Sequence, residues 1–385
     1  MGNSLKFYNA KIFRSDSVFL SGSFEVENGV FASVDFGQEM KTSGIDLEGA
    51  LVIPGLIDIH THGNRNADFS DGDPEGLATM ARYLLKNGIT SFLPTSMTLP
   101  DELLENAFDT AYGFTKENHS DCAEVLGIHM EGPYLSEKRK GAQNADYLKL
   151  PDITSFKKQQ KAFGNLIKIV DVAPELSGAA DFIREAVKSD GAQRHLVSLA
   201  HTDADYDTAK SAFALGARHV THLFNGMPDM YHRNPGVVGA AADREDVTVE
   251  LICDGVHVHP SVIRTAFKLF PHRICLISDA LRCCGMPDGE YELGGQKVIL
   301  NSGEARLEDG TLAGSVTNLF ECMKKAVSFG IPVALAVEAA TYTPAKCLGL
   351  EKRKGAVTPG NDADFIICDE SLNIKRVYRQ GTEVV

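Results

Sequence analysis

His60 and His62 are the first residues in this 385-residue sequence whose type and spacing could support chemistry. They stand two positions apart at the end of an apolar run, so in an extended strand both imidazoles point to the same face. Paired imidazoles are good ligands for Zn²⁺ or Fe²⁺. The preceding PGLID and the following Gly63 make a metal site a better interpretation than a bare HxH would allow. The alternative is a pair of interior histidines satisfied by hydrogen bonds.

Further carboxylates and histidines lie at or near the ends of later apolar runs. Glu131, His201 and His222 add donors from three other runs, and such a nitrogen and oxygen set suits Zn²⁺ or Fe²⁺ better than Mg²⁺ or Ca²⁺. Asp279 ends the run LISDA, where an ionised carboxylate needs a strong reason to be. Beside a metal-activated water it could accept a proton and then deliver it to a leaving amine. An aspartate that caps a strand-to-helix turn is the alternative.

Two further pairs of polar residues remain open or receive structural interpretations. Asp254 and His257 follow the run VTVELIC, and the glycine after Asp254 leaves a turn role and a functional role equally open. We interpret His129 as filling the protein interior. His219 lies three positions before His222, so we expect it to point to the opposite face of its strand.

Eight apolar, β-branched runs carry these residues, and helix-length segments separate most of them. Near-continuous apolar strands that alternate with helices predict a parallel sheet covered on both faces. Eight such units predict an α/β fold of the TIM-like (β/α)₈ barrel type, in which catalytic residues lie at the C-terminal ends of the strands. The runs are 51–60, 89–95, 124–132, 166–175, 195–202, 218–225, 247–255 and 273–280.

The two ends of the chain have a different pattern. Residues 1–53 and 346–385 contain alternating strand-like segments broken by turns, and they flank a barrel expected over 54–345. We therefore expect a small β-sandwich domain formed by both termini.

Composition limits the partners. The formal net charge of −14 disfavours nucleic acid and anionic membranes. The eight cysteines form no CxxC pair, which favours free thiols in a reducing compartment. The start of the chain lacks a secretory signal pattern, and no apolar run approaches the roughly 20 residues of a membrane span. We expect a soluble, cytoplasmic protein.

At this point the motifs resemble those of one family, the N-acetylglucosamine-6-phosphate deacetylases of the amidohydrolase superfamily. The order and spacing of the matches fit from end to end. The matching segments are PGLIDIHTHG (54–63), HMEGPYL (129–135), KGAQN (140–144), LAHTDA (199–204), THLFNGM (221–227), HRNPG (232–236), CDGVHV (253–258), ISDA (277–280), LAGS (312–315) and PGNDADFII (359–367).

The resemblance implies a role for each matching residue. It implies metal-dependent removal of acetate from N-acetylglucosamine-6-phosphate, with Asp279 as general acid and base. It also implies one or two divalent ions, Zn or Fe, and a homodimer in which a neighbouring subunit supplies one phosphate ligand. The implied principal metal ligands are Glu131, His201 and His222, with His60 and His62 for a second ion; the implied substrate contacts are Arg233 and His257 for the phosphate and Asn225, Gly226, Gln143, Leu312 and Ala313 for the sugar.

Two departures leave the sugar open. Gly226 stands where the family usually has alanine, and Asn234 stands where it usually has an acidic residue. An N-acetylgalactosamine-6-phosphate or another related amino-sugar phosphate is therefore an alternative substrate.

Other classes of protein are less compatible with the sequence. Many amidohydrolases that act on cyclic amides bridge two metals with a carboxylated lysine at the end of strand four, but the only lysine of that run, Lys168, lies near its start. Glu131 is the bridging candidate instead. A non-catalytic sugar-phosphate binding protein would be expected to lose its general base, whereas Asp279 is present.

Overall fold

The computed structural model of this chain describes residues 4–37, 44–188 and 195–385. The expectation that the chain starts without a secretory signal depends partly on residues 1–3, which lie outside the described ranges. No helix in the described ranges combines the length and apolar character needed to cross a bilayer.

Eight parallel strands form the predicted barrel, and each pairs with the next in chain order. Strand 8 returns to strand 1 through a hydrogen bond from the Asp279 amide to the His60 carbonyl at 2.9 Å. We number the barrel strands 1 to 8 in chain order: Leu56–Thr61, Ile89–Ser96, Ile128–Met130, Ile167–Val172, Leu196–Leu199, His219–Val220, Thr248–Ile252 and Ile274–Ile277.

Amphipathic helices cover the outside of the barrel. The helix Pro74–Lys86 illustrates why they form: Asp73 accepts hydrogen bonds from the first-turn amides, proline occupies the first turn, and one face is buried. The α-helices are Pro74–Lys86, Asp101–Phe114, Ile153–Ala162, Ala179–Ala186, Tyr206–Leu215, Gly236–Ala242, Pro260–Leu269, Leu319–Ser328, Val333–Ala340 and Tyr342–Cys347.

The predicted first run, 51–60, is divided between two sheets. Leu51–Pro54 belongs to the terminal sheet and Leu56–Thr61 to the barrel. Gly55 stands at the division, where a β-carbon would lie 2.2 Å from Thr90 Oγ1. The sequence did not reveal this break, because the segments on both sides of Gly55 are buried and form one nearly continuous apolar run.

Both termini form the small β-domain, as expected, through one eight-stranded sheet. A bridge between Val30 and Asp362 joins the edge strand Val30–Phe36 to the segment before the central strand Phe365–Cys368, so the sheet folds over an aromatic core in which Phe365 and Tyr378 stack at 4.4 Å. Its strands are Leu5–Arg14, Val18–Glu27, Val30–Phe36, Ile45–Asp46, Leu51–Pro54, Phe365–Cys368, Ile374–Arg379 and Thr382–Glu383.

A three-stranded antiparallel sheet after barrel strand 8 was not predicted. It consists of Gly289–Leu293, Gln296–Asn301 and Glu304–Leu307. Its buried side chains share an apolar cluster with Met97 and Leu99, which follow barrel strand 2. This sheet therefore covers one side of the barrel mouth. All eight cysteines are free thiols, as predicted.

Candidate active site

The predicted metal ligands and the predicted general base meet at the C-terminal end of the barrel. They come from barrel strands 1, 3, 5, 6 and 8, and all of them are buried. We call this group the mouth cluster; its members are His60, His62, Glu131, His201, His222 and Asp279.

One half of the mouth cluster surrounds Glu131. Its Oε1 lies 3.1 Å from His201 Nε2 and 3.0 Å from His222 Nε2, and those two nitrogens are 3.0 Å apart. A group of one carboxylate and two imidazoles at these distances could hold a metal ion.

The other half surrounds Asp279. Its Oδ1 lies 3.2 Å from His62 Nε2 and 3.5 Å from His60 Nε2, and the two nitrogens are 3.3 Å apart. This group could also hold a metal. Glu131 lies between the halves, since its second oxygen is 3.3 Å from His62 Nε2.

The hydrogen bonds of the histidines assign their protons. His201 Nδ1 faces the Arg139 carbonyl at 2.8 Å, and His222 Nδ1 faces the Asn225 carbonyl at 3.2 Å. A carbonyl can only accept, so both Nδ1 atoms carry hydrogen, and each ring in its neutral form presents a lone pair at Nε2. His62 has the same arrangement, with Nδ1 at 3.1 Å from the Thr95 carbonyl.

Lone pairs therefore converge on lone pairs and carboxylates. Such an arrangement is repulsive unless a cation or protons lie between the groups. The donor chemistry of the mouth cluster consequently fits a divalent metal with imidazole and carboxylate ligands.

The backbone at three strand ends adopts an unusual conformation. His201, His222 and Asp279 have φ values of 41°, 30° and 49°, in the left-handed region that non-glycine residues rarely occupy. Strain of this kind persists where surrounding contacts impose it, and it concentrates at functional sites. For Asp279 those contacts include the hydrogen bond from its amide to the His60 carbonyl on strand 1. They also include a 2.6 Å hydrogen bond from the Ser315 amide to the Asp279 carbonyl.

The electrostatics keep both carboxylates ionised. Burial by itself raises the pKa of Glu131, but with protons and no metal between the groups the hydrogen bonds from His201 and His222 outweigh burial and hold that pKa well below its usual range. Burial likewise opposes ionisation of Asp279, and His60 and His62 outweigh it, so the pKa of that carboxyl is lowered. Asp279 is therefore available as a base.

An open pocket lies above the mouth cluster. Six of the predicted substrate contacts line it: Asn225, Gly226, His257, Gln143, Leu312 and Ala313.

His257 is a cation in this pocket. Its Nδ1 lies 2.6 Å from Asp254 Oδ2 and its Nε2 lies 2.9 Å from the Ala313 carbonyl. Both partners accept, so both ring nitrogens carry hydrogen. Burial lowers the pKa of His257, but Asp254 outweighs burial and raises it. Asp254, left open by the sequence, both holds His257 and caps its turn through the Val256 and His257 amides.

Gln143 lines the pocket, but its side chain is already hydrogen-bonded within the protein. Its side-chain amide donates to Glu131 Oε2 at 2.8 Å, and its oxygen accepts from the Thr98 amide at 2.7 Å. Both ends are engaged, so in this structure Gln143 orients Glu131.

Two other predicted positions differ in their relation to the pocket. Arg233 lies on an exposed loop beside His232 and does not line the pocket of its own chain, and Asn234 is exposed on the same loop. Gly226 lies inside, with φ of 60°, and a β-carbon there would be 2.8 Å from His201 Nδ1. Of the two departures from the family pattern, only Gly226 therefore contacts the site.

Sequence reasoning missed several residues of the site. Met97, Leu281 and Leu293 form an apolar wall of the pocket, and their loops gave no signal. Glu250 is fully buried beneath the mouth cluster. An ionisable residue within the apolar strand TVELI was the signal that could have identified it.

Comparison with known proteins extends over nearly the whole chain. Residues 51–384 match the amidohydrolase family. An N-acetylglucosamine-6-phosphate deacetylase from Bacillus subtilis (strain 168) is 36% identical over 387 residues, which covers 98% of this chain and 97% of that protein. An N-acetylgalactosamine-6-phosphate deacetylase from Escherichia coli O157:H7 is 31% identical over 363 residues, covering 92% and 93%.

A solved structure is similar over the full length. It is a mutant of the N-acetyl-D-glucosamine-6-phosphate deacetylase from Mycobacterium smegmatis in complex with N-acetyl-D-glucosamine-6-phosphate. Its TM-score is 0.93 at 30% identity, and the match covers 100% of both chains.

Proposed function

The chain belongs to the amidohydrolase family, and we propose that it hydrolyses N-acetylglucosamine-6-phosphate to glucosamine-6-phosphate and acetate. The observation that carries the proposal is the mouth cluster, in which an ionised aspartate lies beside converging imidazole lone pairs at the floor of a pocket with a cationic histidine. The similarity to deacetylases of this substrate over nearly the whole chain supports it.

We propose that Glu131, His201 and His222 hold a principal divalent ion, Zn or Fe. His60, His62 and Asp279 would hold a second, with Glu131 between them. Such an ion polarises the acetamide oxygen and lowers the pKa of water at the site.

Asp279 is the general base and acid of the proposed reaction. Its carboxylate takes the proton of the attacking water and returns it to the sugar nitrogen as the bond between carbon and nitrogen breaks. The hydrogen bonds to its amide and carbonyl fix its position during both transfers.

His257 supplies positive charge for the phosphate in a protein whose net charge is −14. Arg233 is exposed and lies outside its own pocket, and we propose that it serves a neighbouring subunit, where its planar guanidinium suits a phosphate. We therefore propose a homodimer that shares its phosphate sites. The eight free thiols suit a reducing, cytoplasmic location.

N-acetylgalactosamine-6-phosphate is the second candidate substrate. One relative carries that name, and Gly226 lies in the pocket. The relatives named for the glucosamine sugar have the higher identity.

Acetate release from N-acetylglucosamine-6-phosphate tests the proposal, run beside the galactosamine isomer and the unphosphorylated sugar, with and without a chelator. We expect chelator-sensitive turnover of the phosphorylated glucosamine sugar. Turnover mainly of the galactosamine isomer would change the substrate and keep the chemistry. No acetate from any of them, in protein shown to hold metal, would refute the deacetylase.

A further inference from the structure

Glu250 connects the two halves of the mouth cluster from below. It lies on barrel strand 7 and is fully buried. Its Oε2 lies 2.9 Å from His60 Nδ1 and accepts the His222 amide at 3.1 Å. Its Oε1 lies 3.1 Å from His219 Nε2.

These contacts act on two ligands at once. The carboxylate orients the His60 ring and makes Nδ1 its proton-bearing nitrogen, which leaves the Nε2 lone pair directed at His62 and Asp279. The same oxygen also supports the left-handed backbone of His222, whose amide it binds. His60 is the only one of the four clustered histidines whose Nδ1 partner, among the described contacts, is a carboxylate; the other three face backbone carbonyls.

We propose that Glu250 is a positioning residue that sets the metal affinity of the half formed by His60, His62 and Asp279. A carboxylate that accepts a hydrogen bond from Nδ1 makes Nε2 a more basic metal ligand than a backbone carbonyl does. Loss of such a hydrogen-bond partner typically costs about 10- to 100-fold in metal affinity. The inference rests on the metal binding in the proposed function and assigns the residue that controls the second ion.

The barrel interior offers a matched control for burial. Asp171 is also a fully buried carboxylate, and it accepts from His129 Nε2 at 3.1 Å and from Thr221 Oγ1 at 2.8 Å. It contacts none of the proposed ligands. A loss of metal caused only by a disturbed interior would therefore occur in Asp171→Asn as well as in Glu250→Gln.

The experiment compares wild type, Glu250→Gln, Asp171→Asn and His60→Asn as full-length chains stripped with a chelator. Each is titrated with Co²⁺, followed by visible absorption and calorimetry, and its Zn²⁺ content is measured by mass spectrometry after dialysis. We expect two ions in wild type and Asp171→Asn. In Glu250→Gln the weaker site should lose roughly 10- to 100-fold in affinity, while the tighter site changes far less.

A double variant tests whether Glu250 acts through His60. If it does, adding Glu250→Gln to His60→Asn should not weaken the remaining site beyond the effect of His60→Asn alone. Equal Co²⁺ affinities in wild type and Glu250→Gln would overturn this inference and leave the proposed function intact. Equal losses of Co²⁺ affinity in Glu250→Gln and Asp171→Asn would do the same. A single ion in wild type, unaffected by His60→Asn, would also overturn it and leave the deacetylase intact. A wild-type chain that holds no ion would refute the metal in the proposed function.

Discussion

Two buried groups of histidines and carboxylates lie next to each other along the barrel strands, and their hydrogen bonds differ in kind. In the interior network of His129, Asp171, Ser198 and Thr221, both nitrogens of His129 face acceptors, the Ile59 carbonyl at 2.9 Å and Asp171 at 3.1 Å. Its ring therefore carries both protons beside an anion. In the mouth cluster the Nε2 atoms of His201 and His222 face each other at 3.0 Å.

Each nitrogen of His129 in the interior network has its own acceptor, whereas the nitrogens of the mouth cluster converge on one another and fit a cation between them. Residue type does not distinguish the two groups, because both contain histidines and carboxylates. His129 of one and Glu131 of the other stand only two positions apart on the same segment. The convergence of nitrogens separates them: His129 is paired singly with Asp171, whereas His201 and His222 both direct Nε2 at Glu131 Oε1 and lie 3.0 Å apart, where two N–H groups would clash.

The largest effect is expected at Glu131, which contacts both halves of the mouth cluster. Glu131→Gln should reduce kcat/KM by more than roughly a thousandfold, because metal-derived stabilisation is worth several kcal/mol and each 1.36 kcal/mol is tenfold. Acetate release and bound metal are measured together. If Glu131→Gln kept both its metal and its rate, the mouth cluster would no longer differ from the interior network in function.

Asp279→Asn should have the next largest effect. Loss of the proposed general base and acid should lower kcat by about 10²- to 10⁴-fold. The ligands around Glu131 remain, so we expect the principal ion to stay bound and at most the second ion to be lost, whereas Glu131→Gln weakens both sites. Single-turnover acetate release with quantified metal measures this, and a rate near that of wild type would exclude Asp279 from proton transfer.

His257 shows what a fully paired histidine does when it lies in the pocket instead of the interior. His257→Gln should lower kcat/KM for the phosphorylated sugar by roughly 10- to 100-fold, since Nε2–H would exchange the Ala313 carbonyl for a phosphate oxygen, and a hydrogen bond to a charged group is worth about 1.5–3 kcal/mol. The unphosphorylated sugar is the control. Equal losses for both sugars would argue against a phosphate contact.

Asp254→Asn refines the same prediction through pH. Asp254 raises the pKa of His257, so the charged ring persists to higher pH in wild type. In the variant this pKa should fall, and KM for the phosphorylated sugar should begin to rise at a lower pH than in wild type. Profiles of KM against pH that coincide would show that His257 does not act as a cation.

Asp171→Asn should have the smallest effect on activity. Disturbing a buried, paired carboxylate should reduce the free energy of unfolding by about 1–3 kcal/mol while kcat/KM stays within a few-fold of wild type. Denaturant unfolding beside acetate release measures both. A large loss of activity at unchanged stability would place the interior network in the catalytic machinery.

Much of the fold and the site follows from local pattern. An apolar β-branched run that ends in His60, Glu131, His201 or Asp279 indicates both a strand and the end at which its chemistry lies. The period of the runs predicted the barrel and the terminal β-domain. The three-stranded sheet after strand 8 escaped prediction, because its short strands alternate like ordinary surface segments.

The sequence by itself determined which residue types stand at the strand ends, because hydrophobic periodicity and the order of elements are local properties. Only the tertiary structure decided which partner faces each nitrogen of each histidine. That choice depends on partners distant in the chain: the carbonyl of Arg139 for His201, and for His60 the carboxylate of Glu250, 190 positions away. Hydrogen bonding depends on distance and direction in space, so no spacing along the chain could distinguish a proposed ligand such as His201 from His129 in the interior network.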